Sequence, residues 1–398
     1  MHALKVLHKK ISDACPFIHQ KRLSTLLLAT QSLLHNQRLS LTQLGRSLST
    51  GSIVKHNIKR IDRLLGNMHL ISERKYFYQF ICSELLKHNN RPVIIVDWSD
   101  LTALRDRHLL RASVPVGGRT LTIYEEVHTR EYVAKHKVHK AFLDELQKLL
   151  PKDCTPIIIS DAGFRNPWFK AVAALGWDYV GRIRNTDKLR GIGCTEWKHC
   201  KTLYDQATTK AQYLGEYEVV RSNAINTHLY LIKKKAKGRH GRNIDGSRTT
   251  RGASEKMAMR QREPWLITTS LGGDKSLAEK VIGLYKTRMQ IEESFRDMKS
   301  PHKGLSLSES LTRNPHRLSV LVLIGSLATL LLWMLGKLTE VNKQHWQYQS
   351  SSVVTRRVLS TFYIGCQVAK DRTVRFRKID YEKTLHLVRA DAQSEVSL

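Results

Sequence analysis

The 398-residue sequence has few acidic residues for its size. Asp and Glu total 35 against 66 Lys and Arg, which gives a formal net charge of +31. The basic excess is spread along the chain and does not mark a tail. A charge this large predicts a polyanionic partner, most simply nucleic acid. An acidic membrane surface is the weaker alternative, because no basic amphipathic helix stands out.

The sequence also lacks a paired cysteine framework and a start resembling a signal peptide. Its six cysteines are scattered, so we expect free thiols in a reduced, cytoplasmic protein. Cys194, His199 and Cys200 form a small cluster that could bind zinc. Because no second Cys-x-x-Cys pair accompanies the cluster, structural zinc is not expected.

Long hydrophobic runs are absent except for residues 318–336, which carry no charge. This length could cross a bilayer. However, Gly325, Ser326, Thr329 and Gly336 dilute the run, and a basic helix precedes it. We therefore expect a helix buried on all sides inside a large domain, and no membrane partner.

Residues 1–88 are helical and basic in pattern. A short helix over 41–48 is followed by a second one over 53–65, which resembles a helix-turn-helix. A small helical bundle of another kind would give the same pattern. On charge, we expect this region to contact DNA through the basic residues of the second helix: Lys55, His56, Lys59, Arg60 and Arg63.

Strand signals begin after residue 88. The β-branched run 93–96 predicts a buried strand that ends at Asp97. Two further strands, 108–116 and 119–127, are joined by a Gly-Gly hairpin turn. A helix over 133–150 then leads to a strand that ends at Asp161, and a helix and a fifth strand follow. This order is that of the ribonuclease H-like fold, whose first and fourth strands end in carboxylates.

Residues 185–275 interrupt this pattern. Strand-like segments at 213–220, 228–232 and 265–269 flank a basic loop over 233–262. We therefore expect an α/β protein with a ribonuclease H-like core, interrupted by a β-rich insertion. The predicted division is a helical DNA-binding domain (1–88), the core's first part (89–184), the insertion (185–275), the core's second part (276–340) and a C-terminal region (341–398).

One predicted helix, over residues 281–299, carries a stripe of polar side chains. At 100° per residue, Tyr285, Arg288, Glu292, Arg296 and Lys299 share one side of it. A solvated face with ion pairs one turn apart is the common explanation of such a stripe. A carboxylate surrounded by cations also suits a site that holds a metal ion and grips a phosphate backbone.

Two strand-end aspartates and a helical glutamate can converge on one site. Asp97, Asp161 and Glu292 would then hold two divalent ions about 3.5–4 Å apart, which suits phosphodiester cleavage. Hard oxygen ligands favour Mg²⁺ or Mn²⁺. The alternative is that both aspartates are ordinary turn or cap residues, but this does not account for their place in the strand order beside the Glu292 stripe.

These motifs resemble a known family. The segments Ile-Ile-Val-Asp97-Trp-Ser-Asp and Ile-Ser-Asp161-Ala-Gly-Phe, with the pattern Tyr285-x2-Arg288-x3-Glu292-x6-Lys299, are similar to the DDE transposases of the insertion-sequence-four family, transposon-ten group. The last pattern is that family's Y-R-E-K signature, and the similarity spans nearly the whole chain.

The resemblance implies a cut-and-paste transposase. Asp97, Asp161 and Glu292 would be its metal-binding triad, while the Tyr, Arg and Lys of the signature hold the phosphate backbone at the transposon end. Trp265 would stack a base flipped from that end, although an ordinary core role is the alternative. The reaction would free a 3′-OH, form and reopen a hairpin, and join target DNA, with a homodimer holding both ends.

Two other functions remain open from the residues. A ribonuclease H-like nuclease would need the triad but would not transfer strands. A DNA-binding repressor would need the positive charge without catalysis. The Y-R-E-K signature and the basic insertion favour transposition over the first. An intact set of acids argues against the second, since a pure binding protein gains nothing from acids held beside DNA.

Overall fold

The computed structural model describes residues 2–184, 187–234, 263–371, 373–374 and 376–394. The chain forms two compact units, the first from residues 1–154 and 289–397 and the second from residues 155–288. Each unit contains both helices and strands, so the expected α/β class is confirmed at that level. The finer division into five segments stays a prediction.

Helices account for most of the first unit. In chain order the α-helices of the described residues are α1 (His2–Ala14), α2 (Gln20–Asn36), α3 (Leu41–Arg46), α4 (Val54–Leu65), α5 (Met68–Leu85), α6 (His136–Leu149), α7 (Asn166–Ala174), α8 (Ala278–Thr287), α9 (Met289–Lys299), α10 (Pro315–Val341), α11 (Thr361–Lys370) and α12 (Lys378–Ser394).

Strands occur in both units. They are β1 (Val93–Asp100), β2 (Arg107–Val116), β3 (Arg119–Thr129), β4 (Ile157–Ser160), β5 (Asp178–Ile183), β6 (Lys188–Gly191), β7 (Lys198–His199), β8 (Gln212–Val219), β9 (Ile225–Ile232) and β10 (Trp265–Thr269). The predicted order of strands and helices is confirmed, although β6 and β7 are too short and too polar to have been recognised.

Helices α3 and α4 form the pair that the sequence pattern predicted. They pack closely because Gly45 has no side chain: a Cβ there would lie 2.6 Å from the Ile58 Cα. Helix α4 buries Asn57, Ile61 and Leu64 and turns its basic residues outward. The sequence therefore predicted both helices to within two residues, and a close helix-helix turn of this kind is typical of helix-turn-helix motifs.

Strands β1, β2 and β3 pair antiparallel in the first unit. Gly117 and Gly118 form the turn between β2 and β3 with positive φ angles of 47° and 83°, as the hairpin signal predicted. The prediction that the first strand ends at Asp97 was wrong. Pairing with β2 continues through Asp97 opposite Arg111 to Asp100 opposite His108, so Asp97 lies inside β1.

Helix α10 fills the centre of the first unit. Asn314 caps its first turn by accepting the backbone N–H groups of His316 and Arg317. The helix is long and apolar enough to cross a membrane, yet 94% of its most hydrophobic 18-residue window is buried inside the protein. The prediction of a buried helix is confirmed. Its apolar surface is covered by helices and strands of the same unit.

The second unit contains a mostly antiparallel sheet with the strand order β4-β5-β10-β9-β8-β6-β7. Strands β4 and β5 pair in parallel, through a crossover that contains α7. A cluster of buried aliphatic side chains, including Leu189, Leu229 and Leu266, lies on strands β6, β9 and β10. The three strands predicted for the insertion are confirmed. Residues 235–262, most of the predicted basic loop, lie outside the described residues.

The prediction of one continuous helix over residues 281–299 was wrong. The segment contains two helices, α8 and α9, with Arg288 between them. The Arg288 backbone N–H donates to the Tyr285 carbonyl three residues earlier, a tighter turn than an α-helix makes. Arg288 is also the last residue of the second unit's continuous segment. The signature's Tyr and Arg thus belong to one unit, and its Glu and Lys to the other.

Candidate functional site

Asp97 lies within β1 of the first unit. The side chain is 8% exposed, and its Oδ1 accepts the backbone N–H of Trp98 at 2.8 Å. Because side chains alternate along a strand, Asp97 and Ser99 lie on the same face of β1. Asp97 pairs with Arg111 of β2, so its carboxylate lies on a strand position next to the buried Arg111.

Lys299 fastens the last turn of α9 to the end of β1. Its Nζ donates to Ser99 Oγ at 2.8 Å and to the Asp100 carbonyl oxygen at 3.2 Å. Burial lowers the pKa of Lys299, and Asp100 partly opposes that shift. Glu292 lies two turns earlier on the same side of α9 and is exposed. Asp97 and Glu292 therefore stand on packed elements of one unit.

A buried ion pair packs against α9. Arg111 donates through Nε and Nη2 to Glu125 Oε2 at 2.8 and 2.6 Å, and Glu125 is fully buried. The Arg111 guanidinium also lies 3.1 Å from the Met298 sulfur and 5.1 Å from the centre of the Phe295 ring. Sequence reasoning missed this pair. Charged residues at buried positions of two apolar strands were the available signal.

Three histidines, His128, His136 and His139, lie in a basic stretch of the sequence, a position that favours surface residues or DNA contacts over metal ligands. His139 is instead buried and accepts the Trp98 indole N–H through Nε2 at 3.0 Å. Burial lowers the pKa of His139 to about 4, and the neighbouring His136 and His128 add to the shift. The neutral ring therefore anchors the residue that follows Asp97.

Asp161 directly follows β4 in the second unit, as predicted. Its Oδ1 accepts the Gly163 backbone N–H at 2.8 Å, which fixes the carboxylate in a tight turn. The Asp161 carboxylate interacts electrostatically with the Tyr285 phenol. Burial raises the pKa of the Tyr285 phenol, Arg288 and Arg182 oppose that shift, and the Asp161 carboxylate adds to it. Asp161 thus neighbours the first residues of the signature within its own unit.

Trp265 and Tyr285 form an aromatic pair in the second unit. Their ring centres lie 5.0 Å apart in an edge-to-face arrangement. The Lys234 Nζ lies 3.2 Å from the centre of the Trp265 ring, and the Arg288 guanidinium lies 6.0 Å from that of Tyr285. Half-buried Trp265 is the first residue of β10. Sequence reasoning missed Lys234, which falls in the predicted basic loop.

The backbone before Trp265 is held by Arg182 of β5 and by Arg184, which follows β5. Arg182 donates to Glu263 at 3.2 Å and to the Pro264 carbonyl at 3.1 Å, while Arg184 pairs with Glu263 at 2.8 Å. Burial lowers the pKa of Arg182. These contacts fix the start of β10 and with it the position of the Trp265 ring.

Metal ligation depends on the chemistry of the acids. In the part of the chain that the structure describes, no group of three or more His, Cys, Asp or Glu side chains is arranged so that it could hold a metal ion. Cys194 is exposed and Cys200 is buried, both as free thiols. Asp97, Asp161 and Glu292 offer hard oxygen donors, the class that Mg²⁺ and Mn²⁺ take, so the donor set fits such ions.

Comparison with known proteins gives one finding. No curated protein matches the chain. A family model described as the transposase DDE domain matches residues 88–331, more than half of the chain. The matched segment contains Asp97, Asp161, the aromatic pair and the whole Y-R-E-K pattern. The chain therefore belongs to the family of DDE-domain transposases.

Proposed function

We propose that this transposase moves DNA by a cut-and-paste reaction and belongs to the insertion-sequence-four family, transposon-ten group. It would cleave the transposon ends, pass through a DNA hairpin and join the freed 3′-OH to target DNA. The observation that carries the proposal is the Y-R-E-K pattern inside the matched DDE domain. Its Lys299 is hydrogen-bonded to Ser99 on β1, the strand that contains Asp97.

The proposed ligands of the metal ions are Asp97, Asp161 and Glu292. DDE transposases use divalent ions, and we propose two Mg²⁺ or Mn²⁺ ions here. When bound, such ions activate the attacking oxygen and stabilise the leaving oxygen. The protein's own contribution is rigidity: the Asp97 and Asp161 carboxylates each accept a backbone N–H, and the helix of Glu292 packs against β1.

Backbone phosphates would be held by Tyr285, Arg288 and Lys299. The Lys299 ammonium is already oriented by Ser99 and the Asp100 carbonyl, so it loses less freedom when a phosphate binds. Arg288 lies at the junction between α8 and α9. An arginine there can meet a phosphate with two parallel donors, which a lysine cannot do.

Several partners belong to the same proposal. The substrates are double-stranded DNA at the terminal inverted repeats of the transposon and at the target. Because two ends must be joined, a homodimer would hold them in the synaptic complex. We propose a cytoplasmic, nucleoid-associated location in a bacterium. The net charge of +31 supports DNA as the partner.

The deciding experiment is incubation of the protein with a DNA end, target DNA and Mg²⁺, followed by gel analysis. Nicks, hairpins and joined products together would support transposition. Nicks without joined products would indicate a nuclease that does not transfer strands. Binding without any cleavage would indicate a repressor. Inverted repeats, if found on either side of the gene, would provide the natural end sequence for this assay.

The affinity for DNA ends should fall steeply with salt, because each phosphate contact releases about one counterion. Lys299→Ala and Arg288→Ala should each lower the slope of log affinity against log salt by about one unit. Lys286→Ala is the matched control, since it removes an exposed lysine from α8. If both site variants keep the wild-type slope, these residues do not touch the DNA backbone.

Trp265→Ala should stall the reaction after the first nick. Hairpin formation bends the backbone sharply, and stacking a displaced base on the indole offsets about 1–3 kcal/mol of that strain. Hairpin formation should therefore slow by roughly ten- to hundredfold, while nicking stays near normal. An abasic nucleotide at the flipped position should partly restore the hairpin, since no base then needs a stacking surface.

The control for Trp265 is Trp197→Ala in the same unit. Trp197 is also half-buried and also has a cation over its ring, the Arg190 guanidinium at 4.9 Å. This variant should form hairpins at the wild-type rate. A Trp265→Ala protein that is slow at every step and gains nothing from the abasic end would show that the tryptophan only packs the core.

A further inference from the structure

The N-terminal helices of the first unit enclose a basic cleft of about 300 Å³. Its walls come from the start of α2, the second half of α4 and the turn before α5. The side chains that give the cleft its character are those of His19, Lys21, Arg22, Arg60, Arg63 and Asn67. None of these residues belongs to the matched DDE domain.

The cleft carries positive charge that the described protein does not neutralise. Arg22 is compensated, because its Nε donates to Glu73 Oε2 at 2.7 Å. Lys21, Arg60 and Arg63 form no ion pair with an acid within the residues that the structure describes. The neighbouring acid of α4, Asp62, is engaged by Arg317. The cleft thus retains cations without acidic partners, which an anion would satisfy.

Two helices begin at the cleft. His19 caps α2 by accepting the Lys21 backbone N–H through Nδ1 at 3.2 Å, and Asn67 caps α5 by accepting the Leu70 N–H at 2.9 Å. The positive ends of both helix dipoles therefore add to the charge of the side chains. Capping through Nδ1 leaves Nε2 as the protonated nitrogen of a neutral His19 ring, and hence as a donor.

Helix α4 continues the positive surface beyond the cleft. Lys55 and Lys59 precede Arg63 at intervals of four residues, so these cations form a row along the outward side of the helix. Asn57 and Ile61 lie on the opposite, buried side. A small anion would need only the cleft. A row of cations that runs on for a further two turns suits a long polyanion.

We propose that this cleft binds one backbone phosphate of duplex DNA and thereby sets α4 against the groove of the transposon end. The proposal rests on the proposed function for its substrate and adds the site that grips it. Phosphate contacts of this type fix the register and orientation of a protein on DNA, whereas base contacts select the sequence. The cleft therefore serves positioning, and it should act on any duplex.

The test compares DNA binding by Arg60→Gln, Arg63→Gln and the double variant with that of the wild-type full-length protein. Each single variant should bind a DNA end about three- to tenfold more weakly. The double variant should lower the salt slope by about one unit. Its loss should be smaller than the product of the single losses, because both side chains serve one phosphate.

Lys75→Gln provides the matched control, since it removes an exposed charge from α5 outside the cleft. It should change the affinity by less than about twofold and leave the salt slope unaltered. An unrelated duplex should lose affinity by the same factor as the end in the cleft variants. Thermal unfolding midpoints near that of the wild type would confirm that the variants fold.

Inorganic phosphate separates a DNA site from a small-anion site. When it replaces chloride at constant ionic strength, it should weaken DNA binding by the wild type more than DNA binding by the double variant, which keeps the phosphate contacts of the DDE domain. If phosphate competes but the double variant binds DNA as the wild type does, the cleft is a small-anion site and the proposal is overturned. Wild-type affinity and slope in every variant would overturn it as well.

Failure of this inference is distinguishable from failure of the proposed function. The latter depends on cleavage and joining by the wild-type protein, whichever way the cleft variants bind. If the wild type cleaves and joins ends but Arg60 and Arg63 prove dispensable for binding, only the cleft assignment falls. If the wild type binds but never cleaves, the catalytic proposal falls and the cleft assignment still stands on its own measurement.

Discussion

Asp97→Asn is expected to stop DNA cleavage while leaving end binding largely intact, and Asp161→Asn and Glu292→Gln should do the same. Each change removes one negative charge from the proposed ion ligands and keeps the shape of the side chain. Losing a ligand of a two-metal site removes several kcal/mol of transition-state stabilisation. Cleavage should therefore slow by at least about a thousandfold. Gel assays for nicks and hairpins measure this effect.

Binding assays separate this effect from misfolding. Carboxylates repel phosphates, so the neutral variants should bind DNA ends as well as the wild type does, or slightly better. Glu293→Gln is the control for Glu292, because the neighbouring acid pairs with Arg296 on the same helix. It should retain near wild-type cleavage. A triad variant that still nicks DNA at a rate close to that of the wild type would exclude its residue from the site.

The second large effect concerns stability. Arg111→Met should destabilise the first unit by about 3–5 kcal/mol, because it leaves the buried Glu125 carboxylate without the cation that is hydrogen-bonded to it. Only the hydroxyls of Tyr78 and Ser326, at 2.9 and 2.7 Å, would then donate to that side chain. The midpoint of urea unfolding should fall accordingly. The supporting contacts to Met298 and Phe295 are lost in the same variant.

A double variant identifies the buried charge as the cause. Arg111→Met combined with Glu125→Gln removes both charges and should recover most of the lost stability, since a neutral amide costs less to bury. Lys148→Met is the exposed control. It breaks the surface pair with Glu145 and should cost less than about 1 kcal/mol. If the double variant is no more stable than Arg111→Met, lost packing explains the effect better than charge does.

Local patterns predicted the elements well, because each pattern depends on nearby residues. The Gly117-Gly118 turn, the β-branched run of β1 and the apolar run of α10 all folded as expected. Asp161 was placed correctly at the end of a strand. Membership of the DDE-domain transposases could be inferred from the sequence because the acids and the Y-R-E-K spacing are local features, and the DDE domain match agrees with that membership.

Element ends were less predictable. Nothing in residues 93–100 shows that β1 runs on past Asp97, since the extension depends on pairing with β2. The break at Arg288 is equally hidden, because the sequence there keeps a helical pattern. It occurs where one compact unit gives way to the other. Such features depend on partners distant in the chain, which no local pattern records.

The sequence by itself determined the α/β class and indicated the acids and the signature as candidates, because charge, periodicity and spacing are properties of neighbouring residues. Only the tertiary structure decided which groups support them. It paired Arg111 with Glu125 beneath α9, bonded Lys299 to Ser99, buried His139 against Trp98 and set Lys234 over Trp265. Arg111 and Glu125 face each other across the β2–β3 hairpin, whereas the other three contacts join residues far apart in sequence. Burial makes the choice of partner decisive, since a buried polar group without one is costly.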